Sequence, residues 1–254
     1  MDENIILTDK FSCQNCLDNN QLDFDFTMAF QPIVNCQTKA IFGYEALVRG
    51  LKNEPAHVII SKVNDDNRYL FDQLCRVKAI ELAAKLKLDA MLSINFLPKA
   101  IYKPERCIQT TIAAAKKYGF PTDNIMFEFT EVEKIEDSDF VKSVVDCYQD
   151  LGFQTAIDDF GSGYSGLGLL AEFQTNIIKI DMDLIRGIDQ SRTRQKILEN
   201  CINLFHDLGV TPLAEGIETL EEMQWLQKAG ISLMQGFYFA KPGFECLPKV
   251  DVWG

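Results

Sequence analysis

QDLGFQTAIDDF, residues 149–160, contains the unit on which the whole chain is organised. A helical pattern ends at Gly152, and glycine commonly ends helices because it adopts a left-handed conformation without strain. A short apolar run, Thr155 to Ile157, follows and ends on two adjacent aspartates, Asp158 and Asp159. Neighbouring carboxylates repel each other unless positive charge lies beside them. The stretch therefore predicts a helix, a strand and a cation-binding end.

The same order of helix, glycine and apolar run recurs along the chain. Apolar periodicity predicts helices over 139–151, 194–208 and 220–229. The last of these starts after Thr219 and carries Glu222 three residues later, which is the spacing of a capping box. Other helical patterns or runs stop at Gly119, Gly209 and Gly230.

Each apolar run carries polar residues at or near its end. In chain order these are Asn95, Glu128, Asp158, Asp159, Lys179, Glu215 and Gln235. Alternating helices and strands indicate a parallel sheet. Five or six such units favour an α/β (β/α)8 barrel, a fold of about 250 residues whose reactive groups lie at the carboxyl ends of the strands. The alternative is an open doubly wound sheet, but FGYEALVRG (42–50) lacks its glycine-rich fingerprint.

Composition excludes several classes of partner. The 254 residues carry a net charge of −12, so we expect no nucleic-acid polymer and no anionic membrane as a partner. No run approaches the ~18 apolar residues of a membrane span. The start, MDENIILTDK, has no signal-peptide pattern, and we expect a cytoplasmic protein.

The chain predicts an N-terminal arm over residues 1–25, partly ordered, and one barrel domain over residues 26–254. The arm holds Cys13 and Cys16, a spacing that needs a second ligand pair to form a zinc site. We interpret these two cysteines as part of a plain arm rather than a metal or redox site. A disulfide framework is not expected in a cytosolic protein of this size.

The polar strand ends, joined by Glu45, would bring four or five carboxylates to one mouth of the barrel. Oxygen ligands without histidine or cysteine select hard cations such as Mg²⁺ or Mn²⁺. The two histidines, His57 and His206, do not end apolar runs. No histidine is therefore expected at the strand ends to form a zinc site or a Ser-His-Asp triad there.

Adjacent aspartates can hold two metal ions at once, and ions about 3.5–4 Å apart are common in phosphoryl displacement. Lys179 could orient a hydroxide or a phosphate oxygen, and Arg49 could hold a second phosphate bidentately. The residues therefore predict a two-metal phosphodiesterase for a small, doubly charged substrate.

Seven motifs, in order, resemble those of EAL-domain cyclic di-GMP phosphodiesterases. They are YEALVRG (44–50), SINFLP (93–98), FEFTE (127–131), DDFGSGYSGL (158–167), IKIDM (178–182), AEGIE (214–218) and QGFYFAKP (235–242). The resemblance covers residues 26–243. Within the family, the chain is similar to a subgroup that occurs as stand-alone proteins or joined to blue-light sensors. It implies a modified TIM-like barrel with one antiparallel strand. It also implies hydrolysis of cyclic di-GMP to linear pGpG with two Mg²⁺ or Mn²⁺ ions per site.

The resemblance implies roles for individual residues. Ligands of the first metal ion would be Glu45, Asn95, Glu128 and Asp158, with Asp158 bridging to a second ion beside Asp159. Lys179, Glu215 and Asp159 would act in catalysis. Leu47, Arg49 and Gln235 would bind substrate, and Glu131 would steady the loop after the paired aspartates. In that loop Gly161, Gly163 and Gly166 predict mobility, with ordering when metal or substrate arrives.

The chain departs from the family's motifs in two places. The stretch after Arg49 lacks the R-W-x-H and P-x-x-F-I features that help to build the guanine pocket in the family, and Tyr164 is followed by Ser165-Gly166 rather than Ser-Ser.

The resemblance implies a homodimer formed by helices near the DDFG loop. One alternative function is a non-catalytic module that binds cyclic di-GMP or a protein. The other is a hydrolase for a different phosphodiester.

Overall fold

The computed structural model describes residues 22–97, 100–101, 103–130, 138–162 and 166–253. The strands are β1 Thr27–Asn35, β2 Ala40–Arg49, β3 Met91–Asn95, β4 Ile125–Thr130, β5 Gln154–Phe160, β6 Ile177–Ile180, β7 Thr211–Ala214, β8 Leu233–Gln235 and β9 Gly243–Phe244. The helices are α1 Ala56–Ile60, α2 Arg68–Lys85, α3 Pro104–Tyr118, α4 Ser138–Asp150, α5 Gly166–Glu172, α6 Met182–Ile185, α7 Arg192–Asp207 and α8 Leu220–Lys228. A 3-10 turn covers Thr122–Asn124.

Eight strands close into a barrel. Strands β2 to β8 are parallel neighbours in chain order, and β1 closes the circle by pairing antiparallel with both β2 and β8. Strand β9 adds to β1 at Ala29 and Phe30, beyond the end of β8. The barrel with one antiparallel strand is thereby confirmed, and the open doubly wound sheet is excluded because β1 pairs with both β2 and β8, whereas an open sheet would leave those two strands as unlinked edges.

The predicted helix ends are confirmed. Helices α4, α7 and α8 each lie within two residues of their predicted bounds. The four glycines expected to end helices all have a positive φ, between 70° and 97°: Gly119, Gly152, Gly209 and Gly230. At the start of α8 the Thr219 side chain accepts from the backbone N–H of Glu222, and the Glu222 carboxylate accepts from the backbone N–H of Thr219, which is a complete capping box.

The barrel interior has an apolar floor below a polar layer. The floor consists of Ile33, Met126, Ala156, Ile177, Leu213 and Leu233. Because strand side chains alternate between the two faces, the residue two positions after a floor residue of a parallel strand faces the same interior, one layer nearer the carboxyl ends. On the parallel strands β4 to β8 these residues are Glu128, Asp158, Lys179, Glu215 and Gln235. The strand period thus places the candidate site on top of a packed apolar base.

The opposite faces of the strands pack beneath the helices and form the larger core. At the N-terminal edge, Phe26 packs edge-to-face on Phe71 of α2, with ring centroids 5.3 Å apart. Cys13 and Cys16 lie outside the described residues, so the prediction for the arm stays a prediction. In the part of the chain that is described, none of the helices combines the length and apolar character that crossing a membrane requires.

Candidate functional site

Lys179 lies at the centre of the polar layer, with its side chain 1% exposed. Its Nζ is 2.8 Å from Glu128 Oε2 and 2.8 Å from Glu215 Oε1. The same Nζ is 3.1 Å from Asp158 Oδ1 and 3.7 Å from Glu45 Oε2. One ammonium group from β6 therefore faces carboxylates that come from β2, β4, β5 and the end of β7. It is the positive charge that the carboxylate pair in the sequence requires.

One lysine does not balance this many buried carboxylates. Burial raises the pKa of Glu128 to about 8, with Lys179 opposing the rise and Glu45 and Asp158 adding to it. Burial also raises the pKa of Glu215 well above its ordinary value, again against the effect of Lys179. Burial alone would lower the pKa of Lys179, but the surrounding carboxylates outweigh it and raise that pKa. Crowding and burial thus favour the neutral forms of Glu128 and Glu215, and a bound divalent cation would instead favour their charged forms.

Two amide side chains hold the Glu45 carboxylate. Asn95 Nδ2 donates to Glu45 Oε1 at 2.8 Å, and Gln235 Nε2 donates to Glu45 Oε2 at 2.7 Å. Gln235 Nε2 also lies 3.3 Å from Oε1 of Gln31 on β1. Each oxygen of Glu45 therefore has a donor from a different strand, which fixes the plane of the carboxylate. Restricting a ligand in this way lowers the entropy cost of binding a cation.

An irregularity in β5 brings Asp158 and Asp159 to the same site. Consecutive strand residues normally point to opposite faces. Here the pairing of β5 with β6 shifts between Ile157 and Phe160, and Asp159 has a left-handed φ of 58°. The Asp159 carbonyl accepts from both the backbone N–H and the hydroxyl of Ser162, at 3.0 and 2.9 Å. This turn redirects Asp159 toward the barrel mouth.

Burial, followed by the charge of Asp158 and then that of Asp181, raises the pKa of Asp159 to about 6. Asp181, the second residue after Lys179, is itself buried. Its carboxylate accepts from the backbone N–H of Asp183 at 2.7 Å and caps α6. The second aspartate of the pair therefore sits in the same crowded acidic field as the first.

Among the described residues, two sets of three carboxylates could each hold a cation, because within each set the ligand oxygens lie within 4.8 Å of one another. One set is Glu45, Glu128 and Asp158, and the other is Asp158, Asp159 and Glu215. Glu128 Oε1 is buried without a hydrogen-bond partner. An orphaned buried carboxylate oxygen is costly unless a ligand contacts it. Both sets contain oxygen donors only and share Asp158, so they fit a pair of hard divalent cations.

A pocket of about 580 Å³ opens at the carboxyl ends of β2 and β8, the strands that carry Glu45 and Gln235. Its lining includes Leu47 and Arg49, which follow Glu45 on the same face of β2, and Phe237 and Lys241 from the segment after β8. The Arg49 guanidinium is half-buried and donates to the backbone carbonyl of Val48 at 2.7 Å. The Lys241 ammonium lies 5.5 Å from the centre of the Phe237 ring. Two cations and an exposed aromatic ring therefore line this pocket, as an anionic ligand with a flat ring would require.

The structure brings most of the predicted residues together. Those that converge on the polar layer are Glu45, Asn95, Glu128, Asp158, Asp159, Lys179, Glu215 and Gln235. Leu47 and Arg49 lie in the adjacent pocket, and Glu131 lies outside the described residues. Glu218, the last residue of AEGIE, pairs with Arg186 at an exposed position.

Gln31 and Asp181 are not among the site residues that the sequence predicts. Gln31 belongs to the antiparallel strand, which has no place in a simple βα repeat, so the repeat does not point to it. Its signal was a polar side chain inside an apolar run, TMAFQPIVN. Asp181 ends the same run as Lys179, and its signal was its spacing of two from that lysine.

Comparison with known proteins finds relatives over most of the chain. The family model described as "EAL domain" matches residues 14–242. The blue light- and temperature-regulated antirepressor BluF of Escherichia coli is 33% identical over 223 residues, which are 87% of this chain and 55% of BluF. The probable cyclic di-GMP phosphodiesterase PdeN of E. coli is 26% identical over 85% of this chain and 43% of PdeN. The chain thus spans about half the length of these curated relatives.

Solved structures give closer matches. A standalone versatile EAL protein from Vibrio cholerae O395, in its c-di-GMP-bound form, is 69% identical with a TM-score of 0.89, covering 91% of this chain and 98% of that one. Klebsiella pneumoniae BlrP1, in a manganese and cyclic di-GMP complex, is 36% identical with a TM-score of 0.82, covering 89% of this chain and 58% of that one.

Proposed function

The chain belongs to the EAL-domain family, and on that premise we propose that it is a divalent-cation-dependent phosphodiesterase that hydrolyses cyclic di-GMP to linear pGpG. The observation that carries the proposal is the acidic cluster around Lys179, which contains two overlapping sets of oxygen ligands. Relatives named as cyclic di-GMP phosphodiesterases and related structures with cyclic di-GMP bound support the choice of substrate.

The proposed first ion is held by Glu45, Asn95, Glu128 and Asp158. The proposed second ion is held by Asp158 and Asp159, with Glu215 close by. When bound, Mg²⁺ or Mn²⁺ supplies charge neutralisation at phosphorus and lowers the pKa of a water molecule. In that arrangement Glu45, Glu128, Asp158, Asp159 and Glu215 would bind as charged carboxylates, since the cations would offset their mutual repulsion.

The protein's own residues supply positioning and charge. Lys179, held by carboxylates on several sides, directs its ammonium toward the attacking water or a phosphate oxygen. Asn95 and Gln235 keep the Glu45 carboxylate in one plane. Arg49 binds the second phosphate of the substrate from the adjacent pocket. Hydrolysis consumes one water, forms one P–O bond and breaks another, so only one of the two diester linkages opens.

The test of the proposal is an assay of purified protein with cyclic di-GMP, with Mn²⁺ or Mg²⁺ and with product identification. We expect pGpG from the wild type and none from Glu45→Ala, while Glu199→Ala, at an exposed surface ion pair, should behave as the wild type. Complete absence of turnover at every metal concentration would refute the proposal. Faster turnover of another cyclic dinucleotide in the same assay would assign a different substrate.

A second candidate function is a module that binds cyclic di-GMP and captures a protein without catalysis. The observation that favours it is the relative BluF, which is named an antirepressor. This function predicts nucleotide binding by the wild type in the absence of turnover. The assay above, combined with calorimetric binding of cyclic di-GMP, separates the two functions.

We extend the proposal to a homodimer that forms beside the loop after β5. Leu167 on α5 is 61% exposed and Met182 on α6 is 48% exposed. Leu184 of α6 packs so closely on Gly161 that a Cβ there would lie 2.3 Å from Leu184 Cδ1. Helix α6 therefore contacts Gly161, in the loop that follows Asp159 and Phe160. Light scattering should show a dimer for the wild type and a monomer for Leu167→Glu, whereas Leu51→Glu, at another exposed apolar residue, should leave the dimer unchanged.

A further inference from the structure

A buried charged network lies outside the barrel, behind the strands that carry Asn95 and Glu128. Arg76 Nη2 of α2 is 2.7 Å from Asp72 Oδ2, one helical turn away, and the two side chains are 0% and 1% exposed. Arg76 Nη1 donates to the hydroxyl of Tyr148 on α4 at 3.0 Å. Burying an ion pair carries a desolvation cost that an apolar substitute would avoid. Stability alone is therefore a weak explanation for this network.

The network contacts the backbone at the end of β3. Asp72 Oδ1 accepts from the backbone N–H of Leu97 at 3.0 Å. Leu97 is the second residue after Asn95, so one carboxylate connects helix α2 to the segment that positions Asn95. The other oxygen of that carboxylate faces Arg76, which limits its rotation.

The network also contacts the rings next to both candidate ligands. The guanidinium carbon of Arg76 lies 5.5 Å from the Phe96 ring centre and 5.1 Å from that of Phe127. Phe96 follows Asn95, and Phe127 precedes Glu128. The backbone N–H of Phe96 donates to the Glu128 carbonyl at 3.0 Å, and Asn95 pairs in register with Glu128. Because strand side chains alternate, a ring held on the outer face fixes the direction of its neighbour on the inner face.

We propose that Asp72, Arg76 and Tyr148 form a positioning network that sets Asn95 and Glu128 for cation binding. This inference rests on the proposed function, because it takes those two residues as metal ligands. The three residues do not touch substrate or metal. They act through Leu97, Phe96 and Phe127.

The chemistry of the network suits this role. Burial raises the pKa of Tyr148 to about 12, so its hydroxyl stays protonated and the hydrogen bond to Arg76 persists across physiological pH. The Arg76 guanidinium gives fixed, directional donors toward two acceptors on two helices. A rigid network transmits its geometry better than a flexible apolar contact, because each group has a single position that satisfies its partners.

Two conservative variants test the proposal. Tyr148→Phe removes only the hydroxyl, and Asp72→Asn keeps an acceptor while removing the charge opposite Arg76. The readouts are the hydrogen-exchange rate of the Leu97 N–H in metal-free protein and the Kd for Mn²⁺ by calorimetry. We expect Asp72→Asn to accelerate Leu97 exchange and to raise the Kd for Mn²⁺ about threefold, below the 10–100-fold typical of a direct hydrogen-bond partner of a metal ligand, because Asp72 acts through the backbone of Leu97. Tyr148→Phe should shift both readouts in the same direction by a smaller factor.

The control is Ile202→Ala, in the buried core of α7. It should lower the melting temperature and leave both readouts unchanged. The proposal is overturned if neither variant changes the Leu97 exchange or the Kd by more than this control does. If Asp72→Asn does not fold, Tyr148→Phe alone decides. If the wild type binds no Mn²⁺, the proposed function fails instead, and the Leu97 exchange still decides whether the network holds the end of β3.

Discussion

Replacing Lys179 with methionine removes the ammonium group that lies within 4 Å of Glu45, Glu128, Asp158 and Glu215. Methionine keeps most of the side-chain volume, so the change is mainly one of charge. Removing one partner from a buried ion pair costs about 3–5 kcal/mol, because the remaining charge is left uncompensated. For a chain of this length each kcal/mol lowers the melting temperature by about 2–4 °C. The metal-free Lys179→Met protein should therefore melt about 10 °C below the wild type.

The same reasoning predicts how metal acts on the variant. A divalent cation would compensate the carboxylates in place of the lost ammonium. Mn²⁺ should therefore raise the melting temperature of Lys179→Met by more than it raises that of the wild type. Catalysis should not return, because the positioned ammonium is still missing.

The assay is thermal unfolding of both proteins in EDTA and in saturating Mn²⁺. The control is Lys78→Met, since Lys78 forms a partly exposed pair with Glu81 at 3.0 Å, and such pairs contribute about 0–1 kcal/mol. If Lys179→Met and Lys78→Met had the same melting temperature in EDTA, Lys179 would not be compensating buried charge. If Mn²⁺ raised the melting temperature of Lys179→Met and of the wild type equally, the idea that the metal and the ammonium group compensate the same carboxylates would be refuted.

Three further predictions concern other parts of the site. The pKa of Glu128 is raised from 4.5 to about 8, so in EDTA the folded state holds a proton that the unfolded state has lost; the melting temperature should fall as pH rises between these values, and Glu128→Gln should flatten this slope. Asp159→Asn should lose more activity than the 10–100-fold that an outer partner costs, while calorimetry still detects cyclic di-GMP binding. Glu222→Ala removes an acceptor for three backbone N–H groups in the loops after β6 and β7; urea unfolding should show a loss of about 2–4 kcal/mol, and a loss below that of an exposed substitution would contradict this bracing role.

The βα repeat could be predicted because its signals are local. A glycine after a helix, an apolar run and a polar strand end each depend on neighbouring residues only. Gly152 predicts a helix end and Asp158 a strand end whatever the tertiary packing around them. Parallel strands then bring their carboxyl ends to one edge, so the convergence of Glu128, Lys179 and Glu215 followed from the fold class. The antiparallel first strand followed only from the family resemblance, because β1 obtains its partners from both ends of the chain.

The amino-acid sequence by itself determined the alternation of helix and strand, the acidic character of the strand ends and the family. Tertiary structure decided how those groups face one another. The irregular pairing that redirects Asp159 depends on β6, and Lys179 becomes a shared cation only when four strand ends surround it. The Asp72–Arg76–Tyr148 network joins two helices, and Arg76 and Tyr148 are 72 positions apart in the sequence. Local pattern encodes elements, but the energy of a buried charge depends on every group around it, and those groups meet only in the folded chain.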